Sequence, residues 1–433
     1  MNINSNIGLL GYGLEGKSTA QHLKKHGFKN ITILDENINL KIKQFPYFLG
    51  SKIWKKLNEF DILFRSPGFY PFRTELKNYT GILTSHTELF FQKCPGEIIG
   101  ITGTKGKGTT SSLVYEIIKN SGKKVFLGGN IGVPPLDFLD QVKKTDYVVL
   151  ELSSFQTFTL KQSPKTAVIL MTTSEHLDYH LNKKEYIYAK AELVKNQKTQ
   201  DLCIYNKSFL GSRLIAKKSP AKKISFFSKK NQNSINFCIN KKHILKIKDI
   251  ALKGPHNLDN ITAASLVTLN LGITPDIIKN TLKTFSGLPF RLEKIGIKKS
   301  ITFINDSFST TPETTIAALK SFSQSNIVVL LGGSDKKSNF TKLAKLICKN
   351  EKIFVVAYGF TAEKIIQAIN SIKKLSSKRL QKGKSFKEAF DIATNFLKNK
   401  TGICLLSPAC ASFDLFKNYK ERGKKFNELF KNF

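Results

Sequence analysis

The sequence predicts an α/β protein of three consecutive domains, each built on a mostly parallel sheet. Short apolar runs alternate with helix-length segments along most of the chain, and these runs fall into three successive series. Glycine-rich turns follow the opening run of the first two series, as expected where a strand feeds a helix at a ligand site. At 433 residues the chain is also too long for a single core.

The first series is IGLLGYG, ITILDEN and DILFRSPG. The second runs through EIIGITGT, KKVFLGG, DYVVLELSS and KTAVILMTT. A third follows GLPFRLEKI, with SITFIND, NIVVLLGG, KIFVVAYG and GICLLSP. The expected domains are therefore residues 1–92, 93–290 and 291–433. Between residues 205 and 250 the pattern turns to short lysine- and asparagine-rich strands, read as an irregular sub-sheet of the middle domain. No internal repeat of fixed period is present.

Composition narrows the classes of function. Hydrophobic residues make up 41% of the chain, ample for a folded interior. No apolar run approaches the roughly 18 residues of a membrane span, and no basic segment precedes an apolar one at the N-terminus. A soluble, cytoplasmic protein is expected. The 6 cysteines show no CxxC pair, which favours reduced thiols over a metal or disulfide framework. The net charge of +37 raises nucleic acid as a partner, but its lysines are spread along the chain without interleaved stacking aromatics. No nucleic-acid partner is expected.

The stretch GITGTKGKGTTSSL, residues 100–113, carries the clearest chemistry. Gly103, Gly106 and Gly108 allow backbone N–H groups to turn toward an anion, and the following helix adds its dipole. Lys107 would reach the β- and γ-phosphates of a nucleotide, and the hydroxyl of Thr109 or Thr110 would bind Mg²⁺. Gly108 separates the lysine from the first hydroxyl, a departure from GxxxxGK[ST]. Glu151 ends the run DYVVLELSS, where a second Mg²⁺ ligand belongs, His176 follows the next strand, and Lys190 lies on the amphipathic segment YAKAEL.

With GGNIGVPPLD, LELSSFQ, SEHLDYH, KGPHNLDNITAA, GLPFRLE, INDSFSTTPE, LLGGSDKKSNF and LLSPACASFDLFKNYKERG in this order, the chain resembles the Mur ligases over essentially its whole length. Within them it is most similar to the glutamate-adding branch. The resemblance implies an ATP-dependent amide ligase of cell-wall precursor synthesis. The carboxylate of UDP-N-acetylmuramoyl-L-alanine would be phosphorylated by ATP and then attacked by the amine of D-glutamate. It implies ATP and Mg²⁺ as cofactors, and a monomer is expected.

Carried over by position, the ATP contacts are Gly103, Thr104, Lys105, Gly106, Lys107, Gly108, Thr109, Thr110, Asn257, Asn260, Arg291 and Asp306. The metal set is Thr109, Glu151, His176 and Lys190, the lysine matching the family's carbamylated residue. Asn130, Ser153 and Gln156 match muramoyl-substrate contacts, and Thr310, Lys336, Ser412 and Tyr419 match the amino-acid site. Bland roles exist beside these, such as a helix cap for Asn257 or a turn for Ser412.

The turn GYGLEG, with Gly11, Gly13 and Gly16, and Asp35 at the next strand end read on their own as a dinucleotide fingerprint. In the resembling family that architecture grips UDP, with Ser66, Pro67 and Gly68 nearby, so no redox cofactor is expected. Two departures concern the amino acid. NDSFSTTPE has Phe308 where the usual motif NDSKAT has lysine, and GLPFR has Phe290 where GLPHR has histidine. L-glutamate is the alternative they raise. The order GTKGKGTT is also nearer to folylpolyglutamate synthases, but the first 92 residues and SPACAS argue against that class, and a nucleic-acid-dependent ATPase is the remaining rival.

Overall fold

Buried parallel strands dominate the computed structural model, which describes residues 2–227, 234–236, 244–246, 250–252, 255–335 and 338–433. It divides into two units, Met1–Phe285 and Ser286–Phe433.

The first unit opens with β1 (Ile7–Leu10), α1 (Leu14–Lys25), β2 (Ile31–Asp35), β3 (Tyr47–Leu49), β4 (Ile62–Arg65), β5 (Ile82–Ser85) and α2 (His86–Lys93). The strands form a parallel sheet in the order β3-β2-β1-β4-β5. Residues of β1 and β4 are buried throughout, which is why they read as unbroken apolar runs. Ser85 starts α2 by accepting a hydrogen bond from the Glu88 amide at 3.1 Å.

A second sheet follows, from β6 (Glu97–Thr102), α3 (Lys107–Asn120), β7 (Val125–Gly129), β8 (Tyr147–Glu151), α4 (Ser154–Thr157), β9 (Thr166–Ile169), α5 (Lys183–Lys195), β10 (Leu202–Asn206), α6 (Leu210–Lys217) and β11 (Lys222–Phe226). It is parallel, in the order β11-β10-β9-β6-β8-β7. The lysine-rich β11 is its edge strand, not part of a separate sub-sheet. Pairing on one side only leaves an edge strand room for solvated lysines. A short antiparallel pair, β12 (Ser234–Asn236) with β13 (Ile244–Lys246), answers the expected sub-sheet, whose remaining residues lie outside the described ones. Helices α7 (Pro255–Asn270) and α8 (Pro275–Thr284) close the unit, and their apolar residues join α3 and the sheet in one core.

The second unit contains β14 (Glu293–Lys298), β15 (Ile301–Asn305), α9 (Pro312–Ser321), β16 (Ile327–Gly332), α10 (Thr341–Lys349), β17 (Ile353–Tyr358), α11 (Ala362–Asn370), β18 (Leu380–Lys382), α12 (Phe386–Phe396), β19 (Gly402–Leu406) and α13 (Tyr419–Asn432). Its sheet runs β14-β15-β19-β16-β17-β18, parallel except for the antiparallel hairpin of β14 with β15. The two faces of the sheet carry separate apolar layers, one around Leu331 and Ile347 and one around Phe303 and Phe390. The cysteines that are described, Cys94, Cys203, Cys348, Cys404 and Cys410, are free thiols. Among the described residues no helix is long and apolar enough to cross a membrane.

Candidate functional site

In the second sheet, the strand ends that carry the candidate residues all face the loop after β6. That loop turns into α3 at Gly106, the N-cap, whose φ is 91°. A side chain there would be strained, and a Cβ would also run into the amide oxygen of Asn260. The helix begins at Lys107, earlier than the apolar run suggests, so Gly108, Thr109 and Thr110 lie in its first turn. At a helix start the first N–H groups are not taken up by the helix ladder and can face an anion, whereas the Thr110 amide already donates to the Gly106 carbonyl at 3.0 Å.

The two threonines differ. Thr110 is fully buried and donates to Asn260 Oδ1 at 3.3 Å, while Asn260 Nδ2 donates to Asn257 Oδ1 at 3.0 Å. Thr109 is partly exposed. Lys107 Nζ turns back onto the carbonyls of Gly103 and Thr104 at 3.0 and 3.2 Å. Thr104 is held by the Tyr186 hydroxyl at 3.0 Å, and Lys105 pairs with Glu175 at 2.6 Å.

Around the loop stand the expected metal residues. Glu151, buried at the end of β8, accepts from Asn130 Nδ2 at 2.9 Å, and the Asn130 amide donates to the Glu151 carbonyl at 2.8 Å. This ties a substrate candidate to a metal candidate. His176 adopts φ 58° and packs its ring 4.9 Å from that of Phe155. Partial burial lowers its pKa, Glu175 and Asp178 oppose this, and the charges of Lys107 and Lys190 add to the lowering. Lys190 is 1% exposed, donates to Thr102 Oγ1 at 3.2 Å, and lies over the Tyr186 ring at 4.8 Å. Burial, reinforced by Lys107, pushes its amine well below the ordinary lysine range, against Glu175 and Glu151. Among the described residues Glu151 and His176 do not belong to a close group of three His, Cys, Asp or Glu ligands.

The glycine turn of the first sheet is joined to this site by buried polar contacts. Gly11 has φ 95°, and a Cβ on Gly16 would strike the Gly11 carbonyl, so the turn closes tightly onto α1. Gly13 is the N-cap of α1. Asp35 accepts from the Tyr12 amide at 2.8 Å, which holds the turn from the end of β2. Ser66 donates to the Gly11 carbonyl at 2.9 Å, and Pro67 accepts from the Tyr179 hydroxyl at 3.0 Å, with Gly68 next in the chain. Ser153 and Gln156 form a capping box at the start of α4. Gln156 also donates to Glu15 Oε1 at 2.6 Å. Glu15 and Arg65 are contributions that sequence reasoning missed. Arg65 is 1% exposed and donates to the carbonyls of Phe69 and Phe155 at 2.7 and 2.9 Å. Its position immediately before the SPG turn was the available signal.

In the second unit, Asp306 is buried, accepts from Ser407 Oγ at 2.7 Å and from the Leu292 amide at 3.1 Å, and burial lifts its carboxyl to about 6. Arg291 lies over the Phe308 ring at 4.9 Å, and Tyr419 meets the same ring edge-on at 5.1 Å. The Phe308 amide donates to the Phe290 carbonyl at 2.9 Å, so both departures from the family pattern are adjacent. Thr310 is partly exposed before α9, while Ser412 is buried and its carbonyl receives the Phe416 amide at 2.9 Å. Lys336 lies outside the described residues. Arg422 was not anticipated. Fully buried, it donates to Ser307 and to the carbonyls of Cys410 and Ala411 at 2.9 to 3.2 Å, which holds the SPACAS turn against the INDS turn.

Two family descriptions match the chain: "Mur ligase middle domain" over residues 101–268, and "Mur ligase, glutamate ligase domain" over residues 290–410. The chain is 34% identical to the UDP-N-acetylmuramoylalanine--D-glutamate ligase of Clostridium tetani, over 99% of this chain and 97% of the relative. It is also 34% identical to the protein of that name from Acetivibrio thermocellus, with 98% and 96% covered. Among solved structures, MurF from Acinetobacter baumannii superposes with a TM-score of 0.61 at 17% identity, covering 99% of this chain and 92% of that one. MurC from Thermotoga maritima gives 0.58 at 16% identity, with 99% and 100% covered. MurF from Thermotoga maritima in complex with ADP gives 0.57 at 18% identity, with 99% and 95% covered. At these identities the structural likeness speaks to fold alone.

Proposed function

The chain belongs to the Mur ligase family and is an ATP-dependent ligase of peptidoglycan precursor synthesis, and we propose that it joins D-glutamate to UDP-N-acetylmuramoyl-L-alanine. The observation that carries this reading is the identity, along nearly the full length of both chains, to relatives bearing that ligase's name. The proposed division of labour follows the three α/β segments, with UDP held by residues 1–92, ATP by 93–290 and the amino acid by 291–433.

A carboxylate is a poor electrophile, and transfer of the γ-phosphoryl group converts it to an acyl phosphate with a good leaving group. Lys107, at the N-terminus of α3, would follow the charge on that phosphoryl group as it shifts. Its contacts to two loop carbonyls supply a resting position from which the ammonium can turn to phosphate. Asn257 and Asn260, linked to the loop through Thr110, would meet the nucleotide.

The donor set suits a hard divalent cation. Glu151 provides a carboxylate and Thr109 an accessible hydroxyl, with His176 as a further donor and the Lys190 amine, its pKa lowered by burial, open to carbamylation. Bound there, Mg²⁺ would neutralise phosphate charge in both steps. Lys190 would serve as an anion only after taking up CO₂, because an ammonium in that place repels a cation. A monomeric cytoplasmic enzyme without a nucleic-acid partner completes the proposal.

L-glutamate is the second reading, raised by the NDSFSTTPE form of the motif, with Phe308 in place of the family's lysine and Phe290 in place of its histidine. The test is ATP-dependent phosphate release with UDP-N-acetylmuramoyl-L-alanine, Mg²⁺ and each enantiomer of glutamate beside neutral amino acids. D-glutamate should give the highest kcat/KM. A preference for L-glutamate or a neutral amino acid overturns the substrate assignment, and no release with any of them overturns the reaction.

A further inference from the structure

Far from the phosphate loop, α1 carries His22 and, at its C-cap, His26. One helical turn apart, their rings lie 4.1 Å between centroids with a 32° tilt. Asp140, in the short turn Leu139–Gln141 after β7, faces them, and His26 Nε2 is 3.2 Å from Asp140 Oδ1. One ligand atom from each of the three residues lies within 4.8 Å of the others. The edge of a tetrahedron around Zn²⁺ with bonds of about 2.0–2.1 Å is about 3.3 Å, close to the spacing of the His26 and Asp140 donors.

The second nitrogen of one ring is already directed: His26 Nδ1 donates to the His22 carbonyl at 2.8 Å. A backbone carbonyl on one ring nitrogen fixes the tautomer and turns the lone pair of the other outward, which is the arrangement found behind metal-bound histidines. The opposing segment is anchored as well, because Ser18 on α1 donates to Asp137 Oδ1 at 2.5 Å.

We propose that His22, His26 and Asp140 form a site for a divalent transition cation of the zinc class, with three protein ligands and water in the remaining positions. Two imidazoles favour such a cation over Mg²⁺, which demands an oxygen cage. From Gly13 to His26 the helix spans about 20 Å, so this cation lies away from the substrate turn and acts as a brace between α1 and the segment after β7. Lys25 holds Asp140 Oδ2 at 2.6 Å from a 69%-exposed position, an ion pair that competes with the cation and leaves Oδ1 available.

The experiment uses the full chain freed of metal by chelation and titrated with Zn²⁺ by calorimetry, with Co²⁺ as an absorbing substitute and millimolar Mg²⁺ present throughout. One equivalent should bind, with a Co²⁺ visible spectrum of low coordination number and a rise in melting temperature. His26→Gln and Asp140→Asn should each weaken binding at least about tenfold, in line with losing one of three ligands. Lys25→Gln should strengthen it, and ligase activity of the zinc-free variants confirms that they are folded. No saturable Zn²⁺ binding to the unsubstituted chain, or an equivalent retained unchanged in both weakened variants, overturns the proposal.

Discussion

Replacing Glu15 with glutamine should make the protein more stable at pH 8 and change little at pH 4.5. Glu15 is buried at the start of α1, with one carboxylate oxygen on Gln156 and the other, Oε2, without a hydrogen-bond partner among the described residues. Burial lifts the carboxyl from 4.5 to about 6, and the Gln156 hydrogen bond and the Arg65 charge oppose that rise without cancelling it. The gap between these values corresponds to about 2 kcal/mol. The folded state binds this proton more tightly than the unfolded chain. Stability from this group is therefore gained as pH falls from about 6 toward 4.5, and the full cost is present above 6.

Glu15→Gln keeps an oxygen to accept from Gln156 and removes the charge. The expected gain is about 2 kcal/mol at pH 8, shrinking to near zero at pH 4.5. Trp54, the single tryptophan, reports on the first sheet, so urea unfolding followed by its fluorescence at pH 8, 7, 6 and 5 is a suitable assay. A variant less stable than the parent at pH 8, or a difference that does not shrink as pH falls, would refute the reasoning. The first result would mean that Arg65 more than compensates the ionised carboxylate, and the second that its charge is not the source of the difference.

Four other substitutions test the proposed ATP-binding end of the second sheet. Lys107→Ala should lower kcat at least about 10²-fold in the phosphate-release assay, and activity within a few-fold of the parent would remove the lysine from phosphoryl transfer. Thr109→Ala should raise the Mg²⁺ concentration needed for half-maximal activity, whereas Thr110→Ala, which strips the buried hydrogen bond to Asn260, should mainly cost about 1 kcal/mol of stability in a thermal melt. The opposite ranking would exchange their roles. Lys190→Ala should be nearly inactive and partly rescued by a small carboxylic acid, while the parent should lose activity in CO₂-depleted buffer and recover it with bicarbonate. Equal activity with and without bicarbonate, and no rescue, would sink the carbamate.

The central strands were legible because parallel strands covered on both faces read as continuous apolar runs, as in β16, where every residue is buried. Strands β3, β5, β10, β14 and β18 were not. Each is short or lies at a sheet edge, and their part-exposed residues show no such run. The loop glycines and Lys107 could be placed because their spacing is local. The start of α3 could not, since Gly106 ends the loop through a positive φ that leaves no mark in hydrophobic periodicity. Buried polar partners were the least legible class. Arg65 finds the Phe155 carbonyl 90 residues away, and Arg422 finds Ser307 115 residues away, so neither sequence neighbourhood contains the acceptor that justifies burying a guanidinium.

The same distinction bears on the amino-acid pocket. The motif departure at Phe308 was visible by inspection, but its consequence depends on Arg291 and Tyr419, which come from other segments and close on the ring. A guanidinium lying over an aromatic face gains roughly 0.5–1 kcal/mol at an exposed site while keeping its charge and its edge N–H donors. Phe308 can therefore hold Arg291 in place where the family's lysine would repel it. On that argument Phe308 keeps Arg291 ordered for the nucleotide contact expected of it, and the lost lysine is the change left to act on the amino acid.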